Sequence, residues 1–156
     1  MILDSELNDK NIIQKTYPLP PEIIEHIQAE NWLAIDQYFL EAERPGGTLF
    51  EFMKSFLTFT SIEHIISIRT PPDDEDGIWH DDGSRILGFT LSLTPNPDKI
   101  VGGHLRFRRK NEKDFVSLPI RPLGEMLIFK TGIYGFEHMV SAVTKGKRVL
   151  VAGWCS

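Results

Sequence analysis

Two histidines, one aspartate and one arginine carry the chemistry in this chain. His80 and Asp82 stand two residues apart, His138 heads a later apolar segment, and Arg148 follows it by ten residues (148 − 138 = 10). Imidazole nitrogens and a carboxylate oxygen are good ligands for a divalent transition metal, and a set of only two histidines and one carboxylate leaves coordination positions open. Such a set favours non-haem Fe(II) that activates O2 over a closed structural zinc. The guanidinium of an arginine beside it would hold a carboxylate bidentately. Together the four residues describe a metal-and-anion site.

Strands have to bring them together. Residues i and i+2 of a strand face the same side, so His80 and Asp82 would look inward while Asp81 looks away. A histidine close to an acid arises by chance in a chain with 5 histidines and 22 acidic residues, so the pair needs its context. Val149, Leu150 and Val151 place Arg148 at the start of a strand, and the turn Thr144-Lys145-Gly146-Lys147 precedes it. An antiparallel hairpin across that turn would put His138 and Arg148 on one cavity, the geometry a dicarboxylate requires.

The surrounding pattern supplies the strands. From Ile62 onward short β-branched or aromatic segments, bounded by Gly, Pro, Asn or Asp, predict strands over 62–69, 78–82, 85–94, 104–109, 114–120, 126–130, 137–142 and 148–154. About eight strands without intervening helices exclude βαβ units and point to an antiparallel sandwich, jelly roll or barrel. The first third reads as three helices. Pro20-Pro21 starts one over 20–30, a second begins at Trp32 and ends before Pro45-Gly46-Gly47, and Thr48-x-x-Glu51 offers a capping box for the third. At 156 residues the expectation is a single domain, 1–156, with a helical part over 1–60 and a β core over 62–156.

Composition narrows the function classes. Ten phenylalanines and no apolar run near ~18 residues argue against disorder and against a membrane-spanning helix, so no membrane partner is expected. The formal charge of −5 disfavours nucleic acid, although Arg106, Arg108, Arg109 and Lys110 form a local basic run. Cys155, the single cysteine, rules out an internal disulfide and a cysteine-rich zinc motif, and the first residues lack a secretory signal pattern. A cytoplasmic location is the expectation.

The ordered run His80-x-Asp82, Gly102-Gly103-x-Leu105-x-Phe107, Pro122-x-Gly124-x-x-x-x-Phe129, His138-x-Val140-x-x-Val143-x-x-Gly146-x-Arg148 and Trp154 resembles the 2-oxoglutarate and Fe(II)-dependent dioxygenases of the prolyl 4-hydroxylase type. The resemblance covers about residues 62–156. It implies a double-stranded β-helix, or jelly roll, with His80, Asp82 and His138 as catalytic iron ligands and Arg148 on the distal carboxylate of 2-oxoglutarate. It also implies O2-dependent hydroxylation of a C–H bond with release of succinate and CO2. Asp82 keeps a carboxylate where halogenating relatives carry a small residue, which points to hydroxylation. Peptide or protein residues and small molecules both stay open as substrates, as does the oligomeric state. The rival reading is a metal-binding jelly roll without turnover, acting as sensor or scaffold.

Lesser features fill in around the site. Arg85, close after the first pair, and Tyr134, in the glycine-containing loop before His138, are candidate substrate contacts. Trp79 and Trp154 read as packing residues, His104 as an exposed strand residue, His26 and His64 as weaker ligand candidates still, and the acidic loop 71–77 as a solvated charge run.

Overall fold

The computed structural model describes residues 2–132 and 136–156. Four helices come early: α1 (Ser5–Lys10), α2 (Pro21–Gln28), α3 (Trp32–Ala42) and α4 (Thr48–Lys54). The last three bury residues at helical spacing, such as Ile23 and Ile27 of α2 or Ile35, Phe39 and Ala42 of α3, whereas α1 buries Leu7. The capping box at the third predicted helix does not form. Gly47 is the N-cap of α4 and Thr48 is its first residue, so the Thr48 side chain lies one position too late to cap.

Among the described residues there are ten strands, not eight. They are β1 (Ile12–Thr16), β2 (Ile62–Arg69), β3 (Leu87–Ser92), β4 (Val101–Gly102), β5 (Leu105–Arg109), β6 (Val116–Leu118), β7 (Glu125–Lys130), β8 (Phe136–Val140), β9 (Val143–Lys145) and β10 (Arg148–Cys155). A five-stranded antiparallel sheet in the order β1-β7-β3-β10-β2 faces a three-stranded sheet, β6-β5-β8, and β4 pairs with β9 at one end. This is the jelly roll expected for the chain. The strand β1 interrupts the part read as helical. Its pairing is entirely with distant β7, from Ile12 opposite Phe129 to Thr16 opposite Glu125, so no local pattern announces it.

Strand parity divides the large sheet into two faces. Leu87, Phe89 and Leu91 of β3, Met126 and Ile128 of β7, and Val149 and Val151 of β10 pack with the helices, against Leu7, Phe39, Leu49 and Met53. Leu127 and Phe129 point the other way and close a second apolar cluster with Leu105 and Phe107 of the small sheet. Arg148, Leu150, Ala152 and Trp154 share that inner face, where the two sheets enclose a cavity. The helices thus back the large sheet and leave its other side for chemistry. No helix among the described residues is long and apolar enough to cross a membrane.

Candidate active site

His138 sits in the middle of β8, where Phe107 of β5 is its partner across the ladder. His80 is held against it by an isolated antiparallel bridge: its amide donates to the His138 carbonyl at 3.1 Å, and the His138 amide donates back at 2.9 Å. The segment predicted as strand 78–82 is reduced to that one bridge. Beyond it the chain turns, and Asp82 has a positive φ of 64°. Asp82 therefore reaches the histidines from a turn, not by strand alternation. Asp81 points outward as expected, with one carboxylate oxygen 2.6 Å from Lys110 Nζ and the other accepting from the Gly83 amide at 2.9 Å.

Three side chains converge. Asp82 Oδ1 is 3.2 Å from His80 Nε2 and its Oδ2 is 3.2 Å from His138 Nε2, and one ligand atom from each of the three lies within 4.8 Å of the others. Nδ1 of His80 is 2.7 Å from the Ile78 carbonyl, which can only accept, so Nδ1 carries a proton and Nε2 is the nitrogen that faces the cluster. Burial of His138 pushes its imidazole down to about 4, against the Asp82 charge, so this ring is neutral at physiological pH. Burial alone would raise Asp82, but hydrogen bonding to His80 and electrostatic attraction to the two imidazoles hold it below the usual carboxylate range. Its bond to Asp82 raises His80, against burial. The neutral His138 nitrogen beside the ionised Asp82 carboxylate is the protonation state a metal needs, and at His80 an ion would displace the Nε2 proton.

Arg148 lies on the same cavity, of about 160 Å³, with His80, His138, Thr90 and Phe129 among its walls. It is only 4% exposed, and its Nε has no hydrogen-bond partner among the described residues. Burial, followed by the charge of Arg69 directly across the β2–β10 ladder, pulls it down to about 10, with Asp74 opposing. The Arg148 stem runs over Gly103, where a Cβ would come within 2.7 Å of its Cδ. A buried cation with a free donor calls for an anion. The predicted hairpin is absent, however. β8 pairs with β5, whereas β10 pairs with β2 and β3, so His138 and Arg148 meet by facing each other from different sheets.

Arg69 stands just ahead of the acidic loop in the sequence. Here it lines the cavity, donates from Nε to Asp74 at 2.9 Å and also donates to the Glu75 carbonyl. The loop is not simply solvated: Asp74 accepts from the Val143 amide at 2.6 Å and Asp76 from the Ala142 amide at 2.7 Å. Arg85 does not line the cavity. It pairs with Glu63 at 2.7 Å and stacks 4.9 Å from the ring of Trp154, which does line it. Tyr134 lies outside the described residues. His64 is structural, buried between Glu43 at 2.6 Å and Asp36 at 2.8 Å.

The turn carrying Asp82 is fixed by residues 131–132. The Thr131 amide donates to the Ile86 carbonyl at 3.2 Å and the Gly132 amide to the Asp81 carbonyl at 2.7 Å. Gly132 has φ +65°, and a Cβ there would overlap the carbonyl oxygens of Arg85 and Gly83. Gly132→Ala is expected to cost about 2 kcal/mol or more through left-handed strain and that overlap. A urea titration checks it, and an unchanged midpoint would contradict so close a contact.

The family model of the 2OG-Fe(II) oxygenase superfamily matches residues 71–156, more than half of the chain. No curated protein gives a significant match. Among solved structures, a prolyl-4-hydroxylase from Pseudomonas putida is 18% identical, with a TM-score of 0.67 over 96% of this chain and 87% of its own. A prolyl hydroxylase from Trichoplax adhaerens, solved with a hypoxia inducible factor peptide fragment, is 14% identical, with a TM-score of 0.63 over 99% and 87%. The alpha-ketoglutarate dependent carbocyclase SnoK from nogalamycin biosynthesis is 13% identical, with a TM-score of 0.59 over 99% and 84%. These three share the fold. The donor set and the free buried arginine suit the family's metal and keto acid, and the match favours an enzyme over a sensor or scaffold. The chain belongs to the 2OG-Fe(II) oxygenase superfamily, whose reaction uses Fe(II), 2-oxoglutarate and O2.

Proposed function

We propose that this protein is a 2-oxoglutarate-dependent hydroxylase in which His80, Asp82 and His138 hold Fe(II) and Arg148 binds the distal carboxylate of 2-oxoglutarate. The observation that carries the reading is the meeting, on one cavity, of a two-histidine, one-carboxylate cluster and a buried arginine whose Nε lacks a partner. When bound, the iron supplies the redox chemistry that couples decarboxylation of 2-oxoglutarate to hydroxylation of a C–H bond, giving succinate and CO2.

The chain's own residues bind, orient and exclude water. His80 Nδ1 anchors to the Ile78 carbonyl and thereby aims Nε2, while Phe107 and Phe129 wall in the His138 ring. The guanidinium of Arg148 would pair with a carboxylate in a setting of low dielectric, where the attraction is far stronger than in water. Arg69, already paired with Asp74, adds positive potential on the same side. Bulk water meets the cluster mainly at His80, whose side chain is 52% exposed, against 9% for His138. The substrate would approach from that side.

A peptide or protein residue is our reading of the substrate. Its support is the exposed approach over His80, flanked by Ile78 and Trp79, and the peptide held by the Trichoplax adhaerens enzyme of the same fold. Arg85, stacked on Trp154, completes the reading as a substrate contact at the rim, and Tyr134 stays a candidate contact from its place in the sequence before β8. We read residues 1–156 as one catalytic domain and its home as the cytoplasm, in keeping with a lone, buried cysteine.

Anaerobic titration tests the assignment. Fe(II) plus 2-oxoglutarate should give a weak visible metal-to-ligand charge-transfer band, and admission of air with a substrate from a peptide library should release succinate. No band, and no succinate with peptide or metabolite libraries, would overturn it.

A further inference from the structure

Thr131 directly follows β7 and is fully buried, at 0% exposure. Its hydroxyl is 2.5 Å from the main-chain oxygen of Asp81 and 3.1 Å from Oδ2 of Asp82. Among the described residues, the side-chain groups that reach the Asp82 carboxylate are the two candidate ligand imidazoles and this one hydroxyl. The amides of residues 131 and 132 hold the same turn, so the hydroxyl is presented from a fixed backbone.

We propose that Thr131 is a positioning residue for the metal centre: its one hydroxyl hydrogen, shared between the Asp81 carbonyl and Oδ2 of Asp82, holds that carboxylate oxygen and leaves the other for the ion. The inference rests on the reading of His80, Asp82 and His138 as ligands. A free carboxylate can bind a metal through one oxygen or both, and the second oxygen would take a coordination position that a co-substrate needs. An uncharged donor occupies that oxygen without competing for the metal's charge, as a lysine or arginine would. Asp82 also needs such a guide, because it leaves a turn at positive φ and its main chain does not direct the side chain inward by strand parity. The competing role for Thr131 is purely structural, with the hydroxyl serving only the nearby Asp81 carbonyl.

Thr131→Val removes the donor and keeps the shape, whereas Thr131→Ser keeps the donor. On the full chain, Mn(II) affinity measured by calorimetry should fall about 10–100-fold for valine and stay near wild type for serine. The d–d absorption of the Co(II)-loaded protein should change for valine and superimpose on wild type for serine. A valine variant that binds Mn(II) as tightly as wild type, with the same Co(II) spectrum, would overturn the proposal. Thr131→Ala supplies the same comparison if valine does not fold. Asp82→Ala separates the two levels of inference: equal Mn(II) binding by wild type and Asp82→Ala removes the ligand assignment itself, while a large loss in Asp82→Ala beside an unaffected Thr131→Val removes only the role of Thr131.

Discussion

Replacing Asp82 by alanine is expected to abolish iron retention and turnover together. The substitution deletes the one carboxylate of the cluster and leaves two imidazoles whose rings are 4.3 Å apart, with nothing anionic between them. Two neutral nitrogens hold a divalent ion weakly, and loss of a third ligand should weaken Fe(II) by at least about 100-fold, more than loss of an outer-shell partner does. The metal-free protein should fold, because Asp82 sits in a turn and the apolar clusters do not include it. Iron content after desalting, with circular dichroism as the control for folding, decides the matter. Unchanged iron would move the assignment to another carboxylate, with Asp81 the first to examine.

Arg148→Met should act in opposite directions on binding and on stability. Losing the guanidinium removes the only cavity cation among the described residues whose Nε is unpartnered, and truncating one side of a buried, charge-assisted pair costs about 2–5 kcal/mol. Affinity for 2-oxoglutarate should therefore drop on the order of 100-fold. The ligand-free protein should gain stability. The folded-state value of Arg148 lies at about 10, below the ordinary 12.5, so the charged form carries its full desolvation cost at every pH below about 10 and sheds it only above that. Methionine fills much of the same space without that cost, and exchanges of buried charge for apolar volume are often neutral or stabilising by about 1–4 kcal/mol. Thermal melts with Mn(II), with and without 2-oxoglutarate, read both effects. Wild type should melt higher when the keto acid is added, and the variant should melt higher without it and ignore the addition. A variant that still responds would point to a metal-binding jelly roll of a different chemistry.

Much of this site can be read from the sequence because its members stand beside strong strand signals. The strand 62–69 and the strand from Arg148 follow from β-branched runs, and their pairing places Arg69 opposite Arg148. What stayed hidden was set by contacts distant in sequence. The turn before Arg148 looks like a hairpin turn, but β9 pairs with β4, and the backbone between β8 and β9 is tied to Asp74 and Asp76 of the acidic loop. A local turn pattern does not say which sheet each flanking strand will join. Likewise His80 and Asp82 end up together as strand alternation suggests, although the second is delivered by a turn with positive φ. Thr131 carried no signal at all. A threonine at the end of an apolar strand looks like any other, and its importance depends on where residues 81 and 82 lie in space.

The short strand β1 has a consequence for how this protein coexists with copies of itself. The large sheet would otherwise end at β7, whose residues 125–129 are nearly all apolar and whose outer row of amide and carbonyl groups would stand open. An unpaired edge of that kind is a template for another chain's strand. β1 covers it with Ile12-Ile13-Gln14-Lys15-Thr16, and the new outer edge carries a lysine and polar neighbours. A strand that does not line the cavity thus acts as a guard against edge-to-edge aggregation, and it keeps β7, which leads directly into Thr131, in a single register.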